Sequence, residues 1–448
     1  MLNRLTEKRK TGLSSKLIRT IIFVVVFFAG CTPSEASPTP APFSMSVTPA
    51  TSVPVIDPPV VEQTETLPAA TAVPQVIAST TTPRPPTVTP LPSATPAGQL
   101  GPDTFPIDVN PLTGLQLSDP VVLEQRPVAI KISNFPDCVR PQDGIARADI
   151  VFEHYAEGGT TRFTALYLSQ GAAQIGSVRS ARMIDLEIPA MYQAMFGFSG
   201  ASGGVKLRLE ESDFFERIIS PDFEPGHPAF YRKPIADIVC ELAEHTLFTG
   251  TDRLWTTTTE RGLNERTEVL GTAFNAAIPA GGQPALELIV RYTASFVYWN
   301  YNVDAGVYFR SNNGATHRDG LDGQPVSAAN VIVLLANHLT TDIIEDFVGY
   351  NRTTGEGGNY SVEIQIWGGG RALLFRDGQV FDINWSRWER NRPFVFTDSE
   401  GNLVPLKPGV TWYQLAASET PVEQLSPGVW RFTPPRPSSG PSFLTPNP

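Results

Sequence analysis

Asp149-Ile150-Val151-Phe152-Glu153-His154-Tyr155-Ala156-Glu157-Gly158-Gly159-Thr160-Thr161-Arg162-Phe163-Thr164-Ala165-Leu166-Tyr167-Leu168 decides the fold. Two apolar, β-branched and aromatic runs flank a turn with paired glycines, which predicts two antiparallel strands and a hairpin. Val128-Ala129-Ile130-Lys131-Ile132 reads as a buried strand beside them. Gln174 to Val178 adds a fourth, joined to the third through the polar Ser169-Gln170-Gly171 loop. Ser180 is then expected to cap a helix through Met183, Leu186 and Glu187, kinked at Pro189. Phe196 to Ser199 reads as a strand and Leu207 to Phe215 as a helix. Ile235 to Phe248 gives the clearest helical pattern, with Pro234 at its start and Ile238, Leu242 and Leu247 on one face.

From about Leu286 the pattern changes to strands: 286–292, 295–300, 307–310, 331–336, 361–367, 372–376 and 379–383. Asp377-Gly378 between the last two is a hairpin signal. The expected fold is an α/β N-terminal lobe, a mixed sheet with flanking helices, followed by a mainly antiparallel β lobe. The two lobes are expected to be distinct and packed together.

The amino terminus predicts placement. Arg4, Lys8, Arg9, Lys10, Lys16 and Arg19 precede an unbroken apolar run, Ile21 to Ala29, and Phe28-Ala29-Gly30 stand directly before Cys31. A basic region, a short apolar core and small residues describe an export signal. The run is too short to cross about 30 Å of hydrocarbon as a stable helix. The cysteine makes it a lipobox: cleavage before Cys31 would leave a thiol carrying diacylglycerol and palmitate-class chains, holding the protein at the extracytoplasmic face of the bacterial cell membrane. Residues 32–100 contain 16 Pro and 13 Thr with few charges, so a disordered, extended spacer is expected. At about 3.1 Å per residue it reaches at most roughly 200 Å.

These readings divide the chain into a signal peptide (1–30), a lipidated Cys31 with spacer (31–100) and an α/β domain (101–255). A connector (256–284), a β-rich domain (285–418) and a flexible Pro-rich tail (419–448) follow. The net charge of −11 argues against nucleic-acid partners and against electrostatic adhesion to anionic lipid. Cys138, in a Pro/Asp loop, and Cys240, on the expected helix face, either pair across about 100 residues or leave Cys240 a buried free thiol.

Candidate chemistry concentrates between residues 149 and 182. Arg179-Ser180-Ala181-Arg182 is expected where a strand meets a helix N-terminus, a place that favours anions. With Glu153, Glu157 and Arg162 these arginines would line an anion-binding cleft, and His227, in Pro225-Gly226-His227-Pro228, would stand at its rim. The competing reading is that the acids and arginines pair with each other at the sheet's rim. Glu153 and Glu157 as a glycosidase-type acid/base pair is a further option. No pair of residues has metal-ligand spacing, and phosphate-loop, nucleophile-elbow and dinucleotide motifs are missing, so no cofactor or metal is expected.

Several motifs carry a resemblance. Asn110-Pro111-Leu112-Thr113-Gly114, Arg126-Pro127-Val128-Ala129-Ile130-Lys131-Ile132 and Arg140-Pro141-Gln142-Asp143-Gly144 are three of them. Ala148 to Glu153, Glu157 to Phe163, Ile175 to Arg182, Tyr308-Phe309-Arg310, Ala329 to Val333 and Pro408 to Trp412 are the others. Together they resemble the YerB-like lipoproteins, bacterial surface proteins with a two-part domain of unknown function, over about residues 108–416. The resemblance implies placement and architecture and no assigned reaction. Near His227 the family pattern resembles Pro-His-Asn-Leu-Tyr, whereas this chain has Gly226-His227-Pro228-Ala229-Phe230-Tyr231.

Arg147-Ala148-Asp149-Ile150, a strand hairpin, then Ser177-Val178-Arg179-Ser180-Ala181-Arg182 is similar in layout to the LytR-CpsA-Psr phosphotransferases. That similarity implies arginines holding a pyrophosphate and an aspartate (Asp149 or Asp185) holding a divalent metal; the Asp that follows the second arginine there is absent here. The functional expectation is a lipoprotein that binds an anionic envelope ligand, a wall peptide or glycopolymer. The alternatives are an envelope phosphotransferase or hydrolase, and a protein-interaction scaffold.

Overall fold

The computed structural model describes residues 98–354, 357–438 and 440. The predicted signal, Cys31 and nearly all of the spacer lie outside the described residues, as does most of the segment after 438.

The hairpin read from the opening stretch forms strands β2 (Ile150–Ala156) and β3 (Thr160–Tyr167), in antiparallel register from Ile150↔Leu166 to Ala156↔Thr160. Gly158 and Gly159 make the turn with φ of 74° and 80°, a conformation open to glycine at little cost. Strand β1 (Val128–Ser133) lies antiparallel on the other side of β3. Short parallel strands Met195–Gly197 and Ile218–Ile219 extend the sheet beyond β1.

On its opposite edge β2 pairs in parallel with Thr411–Ala417, near the far end of the chain. That strand pairs in parallel with Asn330–Asp346, followed by the antiparallel Gly368–Arg376, Gln379–Arg387 and Val395–Thr397. The mixed and antiparallel character of the two halves is as read, but the expected separation into lobes is corrected. A continuous ladder of main-chain hydrogen bonds joins them, because Trp412 to Gln414 register directly on Val151 to Glu153. The predicted hairpin at Asp377-Gly378 is present, with φ of 53° and 71°.

Alternation of side chains divides the core in two. Phe152, Leu166, Ile332, Leu374 and Tyr413 enter one cluster with Val205 and Leu209 of helix Gly203–Glu210. Val151, Phe163, Ala165, Val333 and Trp412 enter the other. That second face carries Leu254 of helix Thr251–Glu260 and a second sheet built from Gln283–Tyr292, Ser295–Asn302 and Val307–Asn312.

Two further expectations change. Residues 235–248 form no helix: 3-10 turns occupy Ile235–Asp237 and Ala243–His245, and Leu247–Thr249 is a strand. The apolar spacing had nothing to pack against, and Ile235, Val239 and Leu242 remain 46%, 75% and 43% exposed. Cys240 is instead tied to Cys138 by a disulfide, while Leu247 and Phe248 pair with Arg232, Tyr231 and Gly176. The expected flexible tail contains a hairpin, Val422–Ser426 with Gly428–Phe432, whose second strand joins Gln283–Tyr292 in parallel. Phe432 is fully buried there and anchors it.

Candidate functional site

The 149–182 acids and bases separate according to strand parity. Glu153 faces Phe163 across the hairpin, and His154 faces Arg162. Glu153 and Arg162 therefore emerge on opposite faces of the sheet and share no cleft.

On the second-sheet face Glu153 is fully buried and saturated. Its carboxylate accepts from Arg310 Nη2 at 2.9 and 3.1 Å, Asn134 Nδ2 at 3.2 Å, Thr161 Oγ1 at 3.0 Å and Gln414 Nε2 at 3.0 Å. Arg310 Nη1 donates to His317 Nδ1 at 2.8 Å, so the Nε2–H of His317 donates to Gln142 Oε1 at 2.6 Å. Burial, then the Arg310 charge, holds His317 well below the usual histidine range. Glu153 is thus a structural anion, and Arg310, which sequence reasoning missed, is its counter-charge.

On the other face Lys131 uses all three of its donors. Nζ meets Asp185 Oδ2 at 2.6 Å, His154 Nε2 at 2.6 Å and Thr164 Oγ1 at 3.1 Å. Burial lowers the lysine to about 8, against the pull of Asp185. Asp185 also accepts the Thr164 hydroxyl at 2.7 Å and the Arg182 backbone N–H at 2.7 Å. The latter corrects the helix N-terminus reading: Arg182, not Ser180, is the cap of a single 3-10 turn (Met183–Leu186), and Asp185 already takes its free N–H. Asp149, the other candidate metal ligand, is equally occupied. It accepts from the backbones of Leu168 at 2.6 Å and Ser169 at 3.0 Å, from the Ser169 hydroxyl and from Asn110.

Of the remaining predicted residues, Arg182 and Glu157 pair with each other at 2.5 Å, with Glu345 at 3.7 Å from the same Nε. Arg162 donates to the Ser180 carbonyl at 2.8 Å, and burial followed by repulsion from Arg182 lowers it to about 9. Arg179 differs. Its Nη1 reaches the Glu244 carbonyl at 3.1 Å, while its Nε is buried without a partner. An Arg182→Gln change should therefore strand two nearly buried carboxylates and lower the melting temperature by several degrees, whereas Arg179→Gln should move it little. Thermal melts of the two single variants check this, and equal effects would contradict it.

A cleft of about 470 Å³ is lined in part by Ser199, the backbone partner of Arg179. Its walls include Ser199, Asp222, His227, Tyr231, Arg232 and Leu247. Backbone bonds fix Arg179 at this border: Ser199 N–H donates to the Arg179 carbonyl, and Val178 N–H to that of Leu247. The small sheet of Ile175–Gly176, Leu247–Thr249 and Tyr231–Arg232 places Tyr231 and Arg232 in the wall. Arg232 Nη1 donates to Thr246 Oγ1 at 2.7 Å and to the Ala243 carbonyl at 3.1 Å, one residue from the carbonyl that holds Arg179. His227 Nδ1 accepts the Ala229 N–H at 3.1 Å, so the neutral ring carries its proton on Nε2, 3.4 Å from Glu224. Burial keeps this ring below its ordinary range. His245, 3.2 Å from Ser177 Oγ through Nδ1, is lowered to about 4 by burial and then by Arg179.

The expected His227 is thus at a cleft and Arg179 is joined to its wall through the backbone of Ser199, while Glu153, Glu157, Arg162 and Arg182 serve other bonds. Tyr231 and Arg232 carried a signal, since they directly follow the His227 loop; Ser199 and Asp222 carried none.

Comparison with known proteins now fits the geometry. Residues 112–264 match the family described as "Protein of unknown function (DUF3048) N-terminal domain", and residues 288–413 match its C-terminal domain. The chain belongs to the YerB-like family. The YerB protein of Bacillus subtilis (strain 168), provisionally named a lipoprotein, is 28% identical over 320 residues, covering 70% of this chain and 88% of YerB. The crystal structure of YerB superimposes with a TM-score of 0.55 at 27% identity, over 69% of this chain and 96% of that one. The matched residues include the whole Arg179–Arg232 cleft wall, so the cleft lies within the family's first domain.

Proposed function

We propose that the chain is an extracytoplasmic lipoprotein, cleaved before Cys31 and held at the bacterial membrane by lipid on that residue. In this reading residues 31–100 are a spacer, and 101–255 and 285–418 are the functional domains. The protein binds an anionic envelope ligand, a wall-peptide carboxylate or glycopolymer phosphate, in the cleft bordered by Arg179 and Arg232. One observation carries the reading: Arg179, bonded through its carbonyl to Ser199 of the cleft wall, keeps a buried guanidinium N–H with no protein acceptor, an arrangement that costs energy. The Nε2–H of His227 would supply a further donor. The phosphotransferase alternative is not supported, because Asp149 and Asp185 have their oxygens engaged by protein donors.

Calorimetric titration with a purified muropeptide bearing free carboxylates, and separately with a glycerol-phosphate oligomer, tests the cleft. Saturable binding is expected for one of them, weakened at least tenfold in Arg179→Gln/Arg232→Gln with the fold intact. Unchanged binding in that variant would refute the site. The anchor is tested separately: incorporation of a fatty-acid analogue should disappear in Cys31→Ala.

A further inference from the structure

Where strands Gly368–Arg376 and Gln379–Arg387 run out, two large rings stand in solvent. The last pair of that ladder is Gly368 opposite Arg387, and the residues one step beyond on either strand are Trp367 and Trp388. They are 43% and 82% exposed. Trp385, three residues away, shows what a structural tryptophan does here: it is buried, and its indole N–H donates to the Leu335 carbonyl at 3.0 Å. Among the described residues neither Trp367 nor Trp388 stacks on another aromatic ring or a cation, and neither indole N–H has a protein acceptor.

The surroundings say what would cover them. Gly368-Gly369-Gly370 leaves the strand directly after Trp367 without side chains, and Trp388 Cζ3 lies 3.9 Å from where a Cβ on Gly368 would be. Farther along the same two strands Arg371 and Asp382 form a two-pronged pair at 2.9 and 2.8 Å, both about half exposed. The pair cancels its own charge. The strip therefore offers flat apolar faces with free N–H donors and a hydrogen-bonding fork, and no net charge. A lipid surface would demand a contiguous apolar patch, which the fork and Asn384, opposite Arg371, interrupt. An uncharged polyhydroxyl chain matches it: the C–H faces of pyranose rings lie on indole, while hydroxyls meet N–H, guanidinium and carboxylate.

We propose that this strip binds a neutral glycan chain, with Trp367 and Trp388 as its stacking platforms. The site is independent of the Arg179–Arg232 cleft. The test is calorimetry and tryptophan fluorescence of the full chain with a hexamer of N-acetylglucosamine, beside phosphatidylglycerol vesicles. Saturable binding to the hexamer is expected, weakened at least tenfold by Trp388→Ala and abolished in Trp367→Ala/Trp388→Ala, with unchanged melting temperatures. Trp388→Phe should stay within about threefold of wild type, because a flat ring remains. Arg179→Gln/Arg232→Gln should bind the hexamer normally, which keeps this result separate from the cleft's. No saturable hexamer binding, equal binding by the double tryptophan variant, or a fluorescence response to vesicles alone would overturn the proposal.

Discussion

Glu153→Ala is expected to cost about 3–5 kcal/mol of folding stability, because it leaves the Arg310 guanidinium buried without a counter-charge. Arg310 is fully buried, and its ring neighbours Phe163 and Trp412 supply only their faces, at 5.4 and 5.2 Å from the guanidinium carbon. Asn134, Thr161 and Gln414 would lose their shared acceptor in the same step. The pair also links the two segments matched by the family's N- and C-terminal domain descriptions, Glu153 in the first and Arg310 in the second. Glu153→Leu/Arg310→Met removes both charges and should recover much of the loss, since a buried ion pair and an apolar pair of similar volume are often close in energy. Urea unfolding of the two single variants and the double variant gives the coupling energy. Additive losses would show that the two residues do not act as a pair.

Acid should destabilise the protein through its buried histidines. His154 and His317 are fully buried and held well below the ordinary histidine range by burial and by the adjacent Lys131 and Arg310. Their hydrogen bonds demand neutral rings: His154 Nε2 accepts from Lys131 while its Nδ1–H donates to the Tyr155 carbonyl at 2.9 Å. As pH falls below about 6.5, the unfolded chain binds protons that the folded chain refuses, so stability must drop. Between about pH 6.5 and 5 each ring contributes a loss of about 2 kcal/mol. Melting temperature followed from pH 7.5 to 5 should fall continuously. His317→Gln, which can accept from Arg310 and donate to Gln142, should flatten that slope by about one proton. An unchanged slope would mean that His317 is not the buried neutral ring described.

Much of this architecture was legible from side-chain periodicity, which reports the immediate environment of a strand. The β2–β3 hairpin, the Asp377-Gly378 turn and the antiparallel ladder around it follow from local pattern and turn chemistry. Parity along β2 and β3 could also have separated Glu153 from Arg162, because the glycine turn sets their register. Contacts distant in sequence were not legible: nothing near Glu153 names Arg310, 157 residues away, and nothing near β2 names the 411–417 strand. The 235–248 pattern misled because helical spacing states only that one face could be apolar, while the disulfide at Cys240 and pairing at Leu247 decide otherwise. His227 was legible through its Pro-Gly loop, and Tyr231 and Arg232 follow it, but the cleft also needed Ser199 and Asp222 from distant parts of the chain.

In the proposed function an anion is held near Arg179 and Arg232, beside His227. The five histidines offer a direct readout, because they sit in different surroundings across the fold. Side-chain nitrogen NMR of these rings during titration with a muropeptide should move the His227 signals, and those of His245 beside Arg179. His154, His317 and His338 should stay in place. Shifts confined to His154 and His317 would put the ligand at the sheet centre instead, and no shift at millimolar muropeptide or glycerol-phosphate oligomer would contradict the binding site.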